Sequence, residues 1–234
     1  LKGSGIKVFH YIPPQVWASR KWRIKGIKKY VDEVLCIFPF EIEMYQKEGI
    51  NVHYCGHPLI KQLPEKADRE QFFAKHGLDT TRPLVSIFPG SRTIELRFLA
   101  NTFIKSAKQL QKKHPEIQFC ISHAPNLSDD IFDKYINGTD FKVIKGENQA
   151  LLSISDSLIL ASGTVALEAA LYQIPMIIGY KGPWILYLAY LMVRCIKKVS
   201  LPNIITGEDI VPELIQAKFN TENICYETEK NLYN

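Results

Sequence analysis

The sequence predicts an α/β protein built on a doubly wound parallel sheet of Rossmann-like type. Three observations predict it. Apolar runs of four to six residues alternate with helix-forming stretches along most of the chain. The runs are continuously apolar, as strands covered on both faces are, and do not alternate with polar residues. Several of them stop at small residues from which a helix starts at once, as at Pro89-Gly90-Ser91 and Ser162-Gly163-Thr164.

Taken in order, Ile6–Tyr11 reads as a strand, followed by a proline-rich loop and a basic helix around Arg20–Val31. Glu33–Phe38 reads as a strand, Glu41–Lys47 as a helix and Val52–Cys55 as a strand. Gly56-His57-Pro58 breaks the alternation, and the charged stretch Lys61–Glu70 leads to a short helix near Gln71–His76. A domain boundary is expected here, dividing residues 1–57 from residues 58–234. The second part is more regular. Strands at Leu84–Phe88, Gln118–Ser122, Phe141–Lys145, Ser157–Ala161 and Met176–Tyr180 precede helices at Ile94–Lys112, Leu127–Tyr135, Asn148–Ser155, Val165–Gln173 and Trp184–Lys197. A last helix is expected after Thr206-Gly207-Glu208-Asp209. In helix 94–112, Leu96, Leu99, Phe103, Ala107 and Leu110 share one face and should lie on the sheet.

The chain has 234 residues, enough for one large domain or two modest ones. Its five cysteines are dispersed, with no pair at metal-ligand spacing, which fits free thiols in a reducing compartment. No apolar run is long enough to span a bilayer. The net charge of +5 is uneven: residues 1–31 carry eight basic residues and no acid, and the remainder has 21 basic against 24 acidic. Such a segment suits an anionic surface or is a solvated amphipathic helix. It carries no nucleic-acid recognition motif. Walker, G-x-G-x-x-G, H-E-x-x-H and nucleophile-elbow patterns are absent, and nothing in the sequence calls for a metal or cofactor.

In a doubly wound sheet, ligands bind beyond the carboxyl ends of the strands, so residues just after strands are the candidates. Ser162-Gly163-Thr164 opens a helix whose first-turn N–H groups and dipole suit a phosphate; the plainer reading is an ordinary N-cap. Glu168 stands one turn later on the same face, where a carboxylate can accept from ribose hydroxyls. Gly90 and Ser91 allow a tight turn with N–H groups facing outward. Arg92 adds a fork-shaped cation to that edge, or else a surface salt bridge. Ile94 and Phe98 form an apolar pair away from the sheet-facing stripe, against lipid, an acyl chain or a neighbouring domain. Trp17 and Trp22, among Arg20, Lys21, Arg23 and Lys25, suit a membrane interface or serve as core anchors. Pro183–Val193 is apolar on nearly all sides and too short to span a membrane, so it is expected to be buried between elements or, as the second reading, to lie in an interface. Ser200-Leu201-Pro202-Asn203 reads as a turn whose Asn203 amide can meet a ligand, and His57 as structural.

These motifs together resemble those of the lipid-A-disaccharide synthase family, glycosyltransferases of the two-domain GT-B fold. The shared residues are Tyr11-Ile12-Pro13-Pro14-Gln15-Val16-Trp17-Ala18-Ser19-Arg20, Pro39-Phe40-Glu41, Gly56-His57-Pro58-Leu59, Pro89-Gly90-Ser91-Arg92, Ala161-Ser162-Gly163-Thr164 with Glu168, Gly179-Tyr180 and Ser200-Leu201-Pro202-Asn203, in the family's order. The first motif departs from the family's usual Val-Trp-Ala-Trp-Arg, with Ser19 in place of the second tryptophan.

The resemblance implies an inverting, metal-independent transfer from UDP-2,3-diacylglucosamine to 2,3-diacylglucosamine 1-phosphate (lipid X), at the cytoplasmic face of a bacterial inner membrane. It implies that residues 1–57 are the tail of an acceptor domain and residues 58–234 the donor domain. Gly90, Ser91, Arg92, Ser162, Gly163, Thr164, Glu168 and Asn203 would form the UDP site, with Arg92 stabilising the leaving group. Trp17, Trp22, Ile94 and Phe98 would meet acyl chains or membrane. The resemblance also places about a third of the protein, with the general base, before residue 1, and further chain after Asn234. On that basis the 234-residue chain is expected to bind UDP weakly at best and not to turn over. Two alternatives stay open: another GT-B enzyme acting on a UDP-sugar, such as a lipid-linked cell-wall glycosyltransferase or an epimerase, and a non-catalytic module binding nucleotide sugars or anionic lipid.

Overall fold

In the computed structural model, residues 4–18, 21–185, 187, 191 and 198–234 are described. The chain forms two compact units, Leu1–Leu63 with Pro183–Val199, and Pro64–Gly182 with Ser200–Asn234.

The first unit holds a three-stranded parallel sheet of β1 (Phe9–Tyr11), β2 (Glu33–Cys36) and β3 (Asn51–Tyr54), in that order. A 3-10 turn at Lys21–Arg23 leads into α1 (Ile24–Tyr30), which buries Ile24 and Ile27 and turns Lys25, Lys28 and Lys29 outward. α2 (Phe40–Lys47) follows β2, and α3 (Leu59–Gln62), not expected from sequence, is a single turn started by the Leu59 N–H donating to His57 Nδ1 at 3.2 Å.

Trp17 is inside this unit. Its ring meets Phe38 and Phe40 edge-on, and its Nε1 donates to Glu41 Oε1 at 3.0 Å. Glu41 is 1% exposed and also accepts the N–H groups of Ile37 and Phe38 at 3.3 and 3.1 Å. Burial pushes its carboxyl up, and these three donors pull it back. The interface role expected of Trp17 is therefore corrected to that of a core anchor: an indole reaches the interior when its one donor has a buried acceptor. Trp22, by contrast, is 71% exposed. Ser19 and Arg20, and most of the helix expected at Trp184–Lys197, lie outside the described residues. The described members Trp184 and Ile185 of the run expected to be buried are exposed.

The second unit is a six-stranded parallel sheet. In chain order its strands are β4 (Leu84–Phe88), β5 (Gln118–His123), β6 (Lys142–Lys145), β7 (Ser157–Ala161), β8 (Met176–Tyr180) and β9 (Glu213–Ile215). In space they run β6-β5-β4-β7-β8-β9. Every residue of β4, β5 and β7 is buried, which matches continuous apolar runs covered on both faces. The helices are α4 (Arg69–His76), α5 (Thr93–Lys113), α6 (Asp129–Ile136), α7 (Asn148–Ile154), α8 (Val165–Leu171), α9 (Leu201–Thr206) and α10 (Thr221–Tyr233). Leu96, Leu99, Phe103, Ala107 and Leu110 of α5 are all buried in one core with Val85, Ile87, Ile159 and Ile177 of the sheet and Ile224 and Cys225 of α10. Gly179 is small for a packing reason: a Cβ there would stand 2.4 Å from Phe219 Cε2.

Two elements of the second unit differ from expectation. The turn expected at Ser200–Asn203 is the start of α9, with Ser200 before the first residue, Pro202 in the first turn where a missing N–H is harmless, and Gly207 closing the helix at φ 74°. β9 was not legible because Pro212 and Glu213 disguise a three-residue edge strand that pairs with β8.

Candidate functional site: a cleft at the strand switch point

The chain builds β4, β5 and β6 outward in one direction, then returns to the other side of β4 for β7, β8 and β9. β4 and β7 are therefore neighbours from which the connections diverge, with Phe88 opposite Leu160. Beyond their carboxyl ends a crevice must open, because no connection crosses it. A cleft of about 400 Å³ lies there, within the size range of small-molecule sites. Gly90, Ser91, Arg92 and Glu95 form one wall and Ser162, Gly163, Thr164 and Glu168 another. Phe88, Leu152 and Ala161 are apolar lining, and Ser122 Oγ donates to Asn148 Oδ1 at 2.8 Å beside them.

Seven of the eight residues expected at the nucleotide site thus line one opening; Asn203 does not. It is 1% exposed, donates to Val211 O and Glu213 Oε1 at 2.9 Å each, and accepts the Val211 N–H at 3.0 Å. Its amide is spent on joining α9 to the segment entering β9, which corrects the expectation that it meets a ligand.

The turn after β7 leaves its donors exposed. Thr164 precedes α8 with helical φ and ψ and makes no side-chain capping bond. The N–H groups of Ala166 and Leu167 bond back to Gly163 O and Thr164 O, while among the described residues no acceptor meets those of Gly163, Thr164 and Val165. Gly163 and Thr164 are exposed. Glu168 is half-buried; burial raises its carboxyl above the usual range, and a hydrogen bond from Gln149 opposes the shift. A carboxylate held this way gains from further donors.

The turn after β4 is built differently. The expectation that its N–H groups face outward is corrected for Ser91: Ser91 N and Arg92 N donate to Glu95 Oε2 at 2.8 and 3.3 Å. Arg92 Nη1 meets Glu95 Oε1 at 2.9 Å, with the Arg92 side chain 74% exposed. An exposed pair three residues apart is worth at most about 0.5 kcal/mol. Its guanidinium is therefore held loosely, and its other donors have no protein partner among the described residues. Asn126 Nδ2 donates to Ser91 O and braces the turn from the β5–α6 connection. Glu95 was missed from sequence, although it sits at the third helical position where a capping box places Glu; arginine in place of Ser or Thr before the helix hid the pattern. Ile94 is 52% exposed and Phe98 half-buried.

Among the described residues no group of three or more His, Cys, Asp or Glu side chains is placed to hold a metal ion, and no helix is long and apolar enough to cross a membrane.

A family model described as lipid-A-disaccharide synthetase matches residues 1–234. The lipid-A-disaccharide synthase of Geobacter sulfurreducens is 36% identical over 230 residues, which take in 97% of this chain and 60% of that protein. That of Trichlorobacter lovleyi is 38% identical over 229 residues, 97% of this chain and 60% of the other. That of Coxiella burnetii is 36% identical over 234 residues, 100% and 62%. The chain spans about 60% of the length of the curated relatives it matches. Among solved structures, UDP-GlcNAc 2-epimerase from Neisseria meningitidis bound to UDP-GlcNAc superposes with a TM-score of 0.60 at 16% identity, over 87% of this chain and 54% of that one. E. coli ADP-heptose heptosyltransferase II superposes with a TM-score of 0.54 at 12% identity, over 91% and 80%. At such identities the likeness shows the fold alone: parallel-sheet α/β units of the GT-B type.

Proposed function

The chain belongs to the lipid-A-disaccharide synthetase family, and on that premise we propose that its second unit is the donor-nucleotide half of an inverting, metal-independent glycosyltransferase of lipid A biosynthesis. The donor is UDP-2,3-diacylglucosamine and the acceptor 2,3-diacylglucosamine 1-phosphate; the products are the lipid A disaccharide 1-phosphate and UDP. The observation that carries the reading is the single opening at the strand switch point, shared by Arg92, the unfilled N–H groups of Gly163–Val165 and Glu168.

In the reaction the acceptor hydroxyl attacks the anomeric carbon from the face opposite UDP, the bond to the β-phosphate oxygen breaks, and negative charge gathers on the departing diphosphate. Main-chain N–H groups held at that place by the fold stabilise the charge without reorganising, and the loosely held Arg92 guanidinium adds its spare donors. Glu168 accepts from the ribose hydroxyls, and the donors they supply offset its desolvation. No residue of the cleft is assigned as the general base.

We assign the first unit to the acceptor half. Trp22, with Lys21, Arg23, Lys25, Lys28 and Lys29, supports docking on an anionic leaflet, each cation near the surface contributing about 1 kcal/mol. Ile94 and Phe98 of α5, the helix that Arg92 precedes, are assigned to an acyl chain of the donor.

Titration calorimetry with UDP, UMP, UDP-GlcNAc and the diacylated donor tests the reading. UDP is expected to bind more tightly than UMP, and the acylated donor more tightly than UDP-GlcNAc. Equal affinity for UDP and UMP would overturn the diphosphate site, and preference for UDP-GlcNAc would transfer the chain to a different UDP-sugar activity.

A further inference from the structure

Glu95 stands where an anion bound at the turn after β4 would stand. Its Oε2 takes the N–H groups of Ser91 and Arg92, and its Oε1 takes one guanidinium donor of Arg92. The carboxylate is folded back tightly onto the turn. A Cβ on Gly90 would lie 2.3 Å from Glu95 Oε2 and 2.7 Å from Glu95 Cβ, and Gly90 has φ +110°. The turn thus needs glycine in order to accept Glu95. Asn126 holds the same turn from the other side through Ser91 O.

Resting on the donor-site reading above, we propose that Glu95 is a positioning residue for the diphosphate site. It closes the main-chain donors of Ser91 and Arg92 to any ligand and tethers one edge of the Arg92 guanidinium, so that the guanidinium's remaining donors are the ones a diphosphate meets. A guanidinium has five donors in a rigid fork, so one edge can stay on a carboxylate while another engages phosphate; an ammonium has no such separated edges. The two walls of the cleft then divide the work, with main-chain donors from the turn after β7 and a side-chain cation from the turn after β4.

The test is calorimetry with UDP on the 234-residue chain and on its Glu95→Gln, Arg92→Ala, Arg92→Lys and Glu95→Gln/Arg92→Ala variants, with a thermal melt of each. Glu95→Gln is expected to weaken UDP about twofold when Arg92 is present, the most that an exposed ion pair of this spacing can transmit, and not measurably when residue 92 is alanine. Arg92→Lys is expected to lose nearly as much as Arg92→Ala, and it decides the matter should Glu95→Gln fail to fold. Equal loss in both backgrounds would make Glu95 a plain helix cap and overturn the proposal. So would tighter binding by Glu95→Gln, or wild-type affinity in Arg92→Lys. UDP binding lost with Arg92→Ala but unchanged in Glu95→Gln would overturn this proposal alone. Because binding by this chain is expected to be weak, the titrations run to millimolar UDP, and absence of binding by the unaltered chain even there would overturn the donor-site reading and this proposal with it.

Discussion

Two strand ends meet at the same opening and solve the problem of spare backbone donors in opposite ways. After β4, the chain supplies its own anion: Glu95 fills the N–H groups of Ser91 and Arg92, and a cation stands over the result. After β7, the chain supplies none among the described residues: Thr164 makes no capping bond, and the N–H groups of Gly163, Thr164 and Val165, which line the cleft, meet no acceptor there. At the first turn, the N–H groups of Ser91 and Arg92 are satisfied before any ligand arrives. The second is satisfied only when one does. A helix start that looks like a cap in sequence becomes a candidate anion site when its own side chains decline to cap it.

The glycines give the largest break of that comparison. Gly90→Ala places a Cβ against Glu95 in a backbone conformation unsuited to alanine, whereas Gly163 has open space and no such conformation. Thermal melts should show Gly90→Ala destabilised by about 2–3 kcal/mol. Gly163→Ala should be neutral or slightly more stable, by up to about 1 kcal/mol. Equal melting of the two variants would mean that the turns are not built differently.

Arg92→Ala removes the cation from one wall and leaves the other intact. UDP affinity should fall about thirtyfold by calorimetry, the size of a charge-assisted hydrogen-bond contribution of about 2 kcal/mol, with little change in melting. Unchanged affinity would leave the turn after β7 as the whole site.

Asn203→Ala is the complementary case, a residue grouped with the site by its motif but bonded into the scaffold. Removing its three hydrogen bonds should lower stability by about 1–2 kcal/mol and leave UDP affinity within about twofold. A selective loss of affinity would return Asn203 to the ligand.

Glu168→Gln should give the smallest effect and a characteristic sign. Because burial raises the carboxyl above 4.5, the folded state favours its protonated form. Stability from this group is present below the unfolded value and declines as pH rises through the folded one. The glutamine variant should therefore melt higher than the parent near neutral pH, the gap closing as the pH falls through the raised folded value and gone below about 4.5, while UDP binds a few-fold more weakly. Loss of both stability and affinity would make Glu168 a scaffold residue.

Periodicity and turn chemistry carried much of this protein from sequence alone. β4 and β7 fall where continuous apolar runs stop before small residues, and the α5 stripe from Leu96 to Leu110 is buried as its spacing requires. Both facts are local, since a strand's two-sided burial and a helix's apolar face are written in adjacent residues. What lies far apart in sequence was decided by tertiary packing. Trp17 went inward because Glu41, 24 positions away, offers its indole a buried acceptor. Asn203 left the cleft because Val211 and Glu213 claim its amide once β9 pairs with β8. Glu95, though close in sequence, could be recognised only when the turn folded back on it. A polar side chain's role depends on which partner reaches it first, and that is settled by where the chain passes next, not by the residue's own chemistry.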